Sequence, residues 1–104
     1  MASGANAGRK VLMAGAEAHA PVRMYSTEFC PYCVAARRLF KHLDVSFDDT
    51  DVNSAGGLRQ KMMAESGGNT VPQIWVGDTH VGGCDELYQL HESGGLQTLL
   101  FPNK

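Results

Sequence analysis

Residues 30–33 read Cys30-Pro31-Tyr32-Cys33, and the patterns on either side of them predict that a strand leads into a helix here. The run Val22-Arg23-Met24-Tyr25 begins apolar-polar-apolar, as a strand does, and residues 26–29 are predicted to form a turn. The helix is predicted from residues that recur at helical spacing, namely Tyr32, Ala36, Leu39, Phe40 and Leu43. Both thiols are therefore expected where the strand feeds the helix.

This placement predicts different roles for the two thiols. The first N–H groups of a helix have no intrahelical partners and the helix end carries a partial positive charge, so a thiolate on Cys30 is favoured. A lowered pKa makes that sulfur nucleophilic at neutral pH. Pro31 suits the first helical turn, because its missing N–H would have had no partner. Cys30 is expected to attack a disulfide and Cys33, one turn further on, to resolve the product.

Composition narrows the class of protein. A chain of 104 residues with 43% hydrophobic residues is enough for one domain with one modest core. The formal charge of -2 and the lack of a Lys/Arg cluster argue against nucleic acid as a partner. No stretch approaches the ~18 apolar residues of a membrane span. Three cysteines, two of them as Cys-x-x-Cys beside a strand–helix pattern, indicate redox work in a reducing compartment.

The chain is predicted to divide near residue 20. Residues 1–20 are rich in Ala and Gly and are expected to form a flexible N-terminal extension. Residues 21–104 are expected to form the folded domain. In that domain a short strand is predicted at residues 45–47, followed by a polar loop that contains several aspartates. Two further strands, Gln73–Val76 and Thr79–Val81, are separated only by Gly77-Asp78, which is typical of a tight hairpin.

Three more helices complete the pattern. The second is predicted to begin at Ser54, with a weak apolar stripe, and to end at residues 66–69. The third is predicted to start with residues Asp85 to His91 and to be broken by Gly94-Gly95. A short terminal helix is predicted at residues 96–101.

The order β-α-β-α-β-β-α-α predicts an α/β fold in which helices flank a four-stranded mixed sheet. Ligands of such sheets bind beyond the carboxyl ends of the parallel strands, which is the edge where Cys30 is expected. The cations in the last turns of the first helix are interpreted as a solvated helix end: Arg37, Arg38, Lys41 and His42.

Three motifs in this order resemble those of the dithiol glutaredoxins, a family with the thioredoxin fold: Cys30-Pro31-Tyr32-Cys33, Thr70-Val71-Pro72 and Gly82-Gly83-Cys84-Asp85. The resemblance covers about residues 21–101 and is to the bacterial Cys-Pro-Tyr-Cys type. It implies reduction of protein disulfides and glutathione mixed disulfides, with glutathione as the reductant and no resident metal. The implied partners are disulfide-bearing or glutathionylated proteins, with ribonucleotide reductase as one example, and the protein is expected to be a cytoplasmic monomer.

Carried over position by position, the resemblance makes Cys30 the nucleophile and Cys33 the resolving thiol. The ring of Tyr32 would lie along glutathione. The proline at Pro72 would be cis, and the backbone of Val71 would pair with the cysteinyl part of glutathione.

Two further elements are implied to hold the ends of glutathione. Arg59 would contact the glycine carboxylate. Gly83, Cys84 and Asp85 would receive the γ-glutamyl end, because free N–H groups at a helix start suit a carboxylate and Asp85 can receive an ammonium group. The same helix start predicts some thiolate character for Cys84.

The chain departs from the family pattern at two positions. Many relatives have a lysine three residues before the nucleophile, where this chain has Thr27, followed by Glu28. Many also have an arginine where this chain has Gly68.

Three other interpretations compete with this one. Cys30, Cys33, His80 and Cys84 have spacing compatible with a structural zinc site. Cys30 and glutathione could hold an iron–sulfur cluster between two protomers, as in the single-cysteine branch of the family. The third alternative is a thioredoxin-like redoxin that a flavoprotein reduces instead of glutathione.

Overall fold

The computed structural model describes residues 19–102 of the chain. The predicted order of elements is confirmed. The elements are β1 (Val22–Ser26), α1 (Pro31–His42), β2 (Asp48–Asp51), α2 (Leu58–Ser66), β3 (Gln73–Val76), β4 (Thr79–Gly82), α3 (Cys84–Ser93) and α4 (Gly95–Leu100). None of the helices within residues 19–102 is long and apolar enough to cross a membrane. Residues 1–18, and with them most of the predicted extension, lie outside the described part, whereas the Ala20 N–H donates to the Leu100 carbonyl at 2.8 Å.

The four strands form one mixed sheet in the order β2-β1-β3-β4. Strand β1 runs parallel to β2 and antiparallel to β3, and β3 and β4 form the predicted hairpin. Gly77 supplies the positive φ of +59° that its turn requires. Because β1 is central and ends at Ser26, the chain leaves the carboxyl edge of the sheet immediately before Cys30.

Side chains alternate across β1 and β3 and therefore serve two cores on opposite faces. Met24 and Ile74 belong to the larger core, where residues such as Phe40 and Leu87 bring α1 and α3 against the sheet. The smaller core on the other face lies under α2 and consists of Tyr25, Val52, Met62 and Trp75. The larger core fixes α1 relative to β1, and so fixes the start of α1 at the edge of the sheet.

The predicted position of the second strand is wrong. Residues 45–47 precede the strand, and β2 is instead the acidic segment Asp48–Asp51, which was expected to be a loop. Its pairing with β1, from Arg23 opposite Asp48 to Ser26 opposite Asp51, decides its place in the sheet. Strand β2 lies at the sheet edge, where charged side chains are common, so an apolar pattern was a poor guide to its position.

The second helix also starts later than predicted, at Leu58 instead of Ser54. The Ser54 N–H donates to the Asp51 carbonyl at 3.0 Å and closes a turn. Gly57, just before the helix, has a left-handed φ of +85°, which is incompatible with a helix continuing through it. The helix ends as predicted, at Ser66, before Gly67 with φ +78°. Helix α3 begins one residue before the predicted start and ends at Ser93, before Gly94, as predicted.

The end of α2 gives a test of the fold. Gly67→Ala should destabilise the protein by about 1 kcal/mol, because an L side chain is strained at this positive φ although the space around it is open. Gly56→Ala is the matched control, since Gly56 also faces open space and has no positive φ. The measurement is the free energy of unfolding in urea. Equal effects of the two substitutions would contradict this account of the helix end.

Candidate active site

The nucleophile predicted from sequence lies at the cap of α1. Cys30 is extended, with φ −91° and ψ 118°, and Pro31 is the first residue of the helix. The Cys30 sulfur accepts a hydrogen bond from the Cys33 N–H at 3.3 Å. A free N–H at the start of the helix is therefore directed onto the sulfur, as the strand–helix junction predicted.

The environment of Cys30 favours its thiolate. Partial burial alone would raise the pKa of Cys30. The Cys33 thiol, the backbone N–H groups of Cys33 and Tyr32, and the positive charge of Arg37 outweigh this effect and leave the pKa below its usual value. Cys30 is also partly exposed, so its sulfur can meet a substrate.

The second thiol of the motif has the opposite character. Cys33 is fully buried, and burial together with the neighbouring Cys30 raises its pKa to about 11. Only the Thr27 backbone N–H and the Arg37 charge act to lower the pKa of Cys33. The partly exposed Cys30 with its lowered pKa therefore suits attack, and the buried Cys33 with its raised pKa suits the later, resolving step.

The loop before β3 brings Val71 and Pro72 to the same place. The Val71-Pro72 peptide bond is cis, as the resemblance implies. The Cys30 thiol lies 3.8 Å from the Val71 carbonyl, at the distance of a weak sulfur hydrogen bond. Gln73 holds this loop through its side-chain amide, which donates to the Thr70 carbonyl at 3.0 Å. The Val71 backbone therefore borders the nucleophile.

The third motif lies at the start of α3. Gly83 caps the helix, and a Cβ atom built there would lie 3.4 Å from the Pro72 carbonyl, so this helix start adjoins the cis-proline loop. The Gly83 N–H donates to the Glu86 carboxylate at 2.9 Å. The amides of Cys84 and Asp85 follow in the first turn, where N–H groups have no intrahelical partners. The Asp85 residue is exposed.

The expected thiolate character of Cys84 is wrong. Cys84 is 9% exposed, and burial is the main cause that raises its pKa, followed by the charges of Asp85, Cys30 and Glu86. Burial, helped by these negative charges, therefore disfavours a thiolate on Cys84 although it lies at a helix start.

The remaining predicted residues flank this centre. Tyr32 is 63% exposed beside Cys30. Arg59 is in the first turn of α2, and its guanidinium donates to the Asn69 carbonyl at 3.0 Å, directly before the Thr70-Val71-Pro72 loop. All seven positions that the resemblance assigned to glutathione lie on this loop, on α1, α2 or α3, or at the cap of α3.

Comparisons with known proteins agree with this arrangement. The glutaredoxin family model matches residues 22–81. The chain is 44% identical over 80 residues to a glutaredoxin of Pseudomonas aeruginosa, an alignment that covers 77% of this chain and 95% of the relative. It is 43% identical over 81 residues to glutaredoxin 3 of Escherichia coli, covering 78% of this chain and 98% of the relative.

The chain belongs to the glutaredoxin family. This family comprises glutathione-dependent thiol-disulfide oxidoreductases, and the fold agrees with it. The crystal structure of a buckwheat glutaredoxin–glutathione complex superimposes with a TM-score of 0.74 at 26% identity, covering 80% of this chain and 78% of that one.

Sequence reasoning missed one group of residues in this glutaredoxin. Arg37 was interpreted as part of a solvated helix end and Asp49 as part of a loop. In the structure the Arg37 guanidinium donates to the Asp49 carboxylate at 2.6 Å and to the Ser26 hydroxyl at 2.9 Å. The signal was available, since Arg37 follows Cys33 by four residues and must share its helix face.

The zinc alternative requires His80 beside the cysteines. The His80 ring instead packs on Trp75 with 4.8 Å between centroids, and its Nε2 lies 2.8 Å from the Gln73 side-chain oxygen. Within residues 19–102 no three or more His, Cys, Asp or Glu side chains are arranged to hold a metal ion. The colour and metal content of freshly purified protein would test both metal alternatives directly.

The contrast between the three thiols gives a prediction. At neutral pH, a limiting amount of iodoacetamide should modify Cys30 first, because only its pKa is lowered. Burial should leave Cys33 and Cys84 largely unmodified. The measurement is mass spectrometry of the digested protein, with the unfolded chain as the control in which all three thiols react alike. Alkylation of Cys84 as fast as Cys30 would contradict the assignment.

Proposed function

We propose that this glutaredoxin reduces glutathione mixed disulfides and protein disulfides with Cys30 as the nucleophile and Cys33 as the resolving thiol. The observation that carries the proposal is the asymmetry at the start of α1. The pKa of the partly exposed Cys30 is lowered by the Cys33 thiol and by N–H groups of the helix, whereas burial raises the pKa of Cys33 to about 11. Only one of the two sulfurs is therefore ready to attack.

A glutathione mixed disulfide needs only Cys30. The Cys30 thiolate attacks the glutathione sulfur, the disulfide breaks, and the client leaves as a thiolate that takes up a proton. Cys30 now carries glutathione. The thiolate of a second glutathione attacks the glutathione sulfur of this adduct, which forms oxidised glutathione and returns Cys30 as a thiolate.

A protein disulfide needs both cysteines. The Cys30 thiolate attacks one sulfur of the client and releases the other as a thiolate, so that client and enzyme are joined. Cys33 then loses its proton and attacks the Cys30 sulfur, which expels the client as a dithiol and forms the Cys30–Cys33 disulfide. Two glutathione molecules reduce this disulfide and are themselves oxidised.

Glutathione would lie across the three motifs. The Val71 backbone borders the Cys30 sulfur and suits the cysteinyl part of the tripeptide. The Cys84 and Asp85 amides, with the Asp85 carboxylate, suit the γ-glutamyl carboxylate and ammonium. Arg59 suits the glycine carboxylate and Tyr32 provides a ring along one side, with Pro72 and Gly83 shaping the backbone. The similarity to the buckwheat glutaredoxin–glutathione complex supports this placement.

The setting of the activity is proposed from family membership. Disulfide-bearing or glutathionylated proteins are the expected clients, and ribonucleotide reductase is one candidate. We also propose that the protein acts as a monomer in the cytoplasm, where glutathione keeps thiols reduced. Turnover with glutathione as the only reductant separates this function from that of a flavoprotein-dependent redoxin.

Substitution of the two motif cysteines should affect the two reactions differently. Cys33→Ser should keep most reduction of a glutathionylated peptide, because that reaction needs one attack, and lose most reduction of an intramolecular peptide disulfide. Cys30→Ser should abolish both reactions. Initial rates with the two peptides at fixed glutathione are the measurement. Equal losses of initial rate in both variants with the glutathionylated peptide would contradict the assigned roles.

The γ-glutamyl site can be tested at Asp85. Asp85→Asn should raise the Michaelis constant for glutathione about 2- to 5-fold, the range expected for losing an exposed ion pair, and the effect should shrink in high salt. Glu92→Gln is the matched control, because it removes an equal charge from an exposed residue near the other end of α3. Equal Michaelis constants for the two variants would remove Asp85 from the site.

A further inference from the structure

Arg37 connects three segments that meet beneath the active site. From α1 its guanidinium reaches Asp49 on β2 at 2.6 Å, the Ser26 hydroxyl at the end of β1 at 2.9 Å, and the Thr27 carbonyl at 3.2 Å. The Ser26 hydroxyl donates in turn to the other oxygen of Asp49. Both charged side chains are about three-quarters buried. A planar guanidinium can bind several partners at once, which an ammonium group cannot reproduce.

This network ends at the resolving thiol. Arg37 lies one helical turn after Cys33 on the same face of α1. The Thr27 carbonyl accepts from Arg37, and the Thr27 backbone N–H is one of the two groups that lower the pKa of Cys33. Arg37 therefore binds the same residue whose amide favours the Cys33 thiolate.

The two cysteines depend on Arg37 to different extents. Cys30 has three other influences that favour its thiolate, namely the Cys33 thiol and the N–H groups of Cys33 and Tyr32. Cys33 has only the Thr27 N–H besides Arg37, and Arg37 itself holds Thr27. Loss of Arg37 should therefore affect the resolving thiol more than the nucleophile.

We propose that Arg37 is a positioning residue for the resolving step, in which it holds the Thr27 peptide and its own positive charge beside the Cys33 thiolate. The inference rests on the proposed role of Cys33. Once Cys30 is joined to a client, Cys30 can no longer be an anion beside Cys33. The Thr27 amide and Arg37 then remain to stabilise the thiolate of Cys33 as it attacks the Cys30 sulfur and the client thiolate leaves.

Other charged or titratable groups lie around this end of α1, and they are the same in all the proteins compared in the test. Asp49 on β2 is bound to Arg37, and the turn before the helix carries Glu28. The first turn of α3 contributes the carboxylates of Asp85 and Glu86, and the titratable thiol of Cys84, which is replaced by serine in every protein compared.

The test follows the resolving step by itself. Reduced protein carrying Cys84→Ser is mixed with an excess of 5,5′-dithiobis(2-nitrobenzoate) in a stopped-flow instrument. Attack by Cys30 releases the first coloured thiolate at a rate that depends on reagent concentration. Attack by Cys33 on the Cys30 adduct releases the second at a rate that does not. The second rate is measured as a function of pH.

Arg37→Gln should move the pH profile of the second phase to higher pH. A rise of one unit in the pKa of Cys33 leaves about 10-fold less thiolate but a more nucleophilic one, so the second phase should slow about 3-fold near neutral pH. The deficit should vanish at alkaline pH, where Cys33 is ionised in both proteins. A purely structural defect would instead slow the reaction equally at every pH. The first phase should change less.

Arg38→Gln is the matched control, because Arg38 is the neighbouring residue of α1, carries the same charge and is exposed. Arg37→Lys keeps the charge and provides a second variant should the glutamine variant fail to fold. Its pH profile should lie between those of Arg37→Gln and the protein with Arg37 intact. An unchanged profile for both Arg37 variants, or an equal displacement by Arg38→Gln, would overturn the proposal. Absence of the second phase in the Cys84→Ser protein with Arg37 intact would overturn the role of Cys33 as well.

Discussion

The hydrogen bond from the Cys33 N–H to the Cys30 sulfur is the interaction on which the site depends. It exists because the chain turns from an extended residue, Cys30, directly into a helix that starts at Pro31. A side chain at this cap position can accept from the N–H two or three residues on, and here the acceptor is a sulfur. One feature of secondary structure thus both caps the helix and prepares the nucleophile.

The rest of the fold holds that cap against the other two motifs. Phe40 of α1 and Leu87 of α3 lie in the same core over the sheet, and the Tyr88 hydroxyl of α3 donates to the Ala35 carbonyl of α1 at 3.0 Å. The starts of α1 and α3 are therefore fixed relative to each other. The cis-proline loop lies between them, within reach of Cys30 on one side and Gly83 on the other. Packing in the core between α1 and α3 therefore sets the distances between the three motifs around the Cys30 sulfur.

The sequence predicted the features that depend on local patterns. Apolar spacing placed α1, and Gly77-Asp78 placed the hairpin, because both are decided by residues close together in the chain. Strand β2 was misplaced because its position depends on pairing with β1, more than twenty residues earlier. The thiolate expected at Cys84 failed for a related reason, since the helix dipole was visible in the sequence but the burial of the sulfur was not.

Arg37 shows how a long-range contact can alter the interpretation of a departure from a family pattern. With Thr27 in place of the common lysine, the turn before Cys30 provides no cation. The structure supplies one from α1, but Asp49 partly neutralises it. The influences that favour the Cys30 thiolate are consequently led by hydrogen bonds, from the Cys33 thiol and the N–H groups of Cys33 and Tyr32, with Arg37 last. Hydrogen bonds of this kind act over short distances and are little screened by salt, unlike an exposed charge. Hydrogen bonds at the start of α1 thus govern the nucleophile, and under our proposal the charge of Arg37 matters more at buried Cys33, where fewer other groups favour a thiolate.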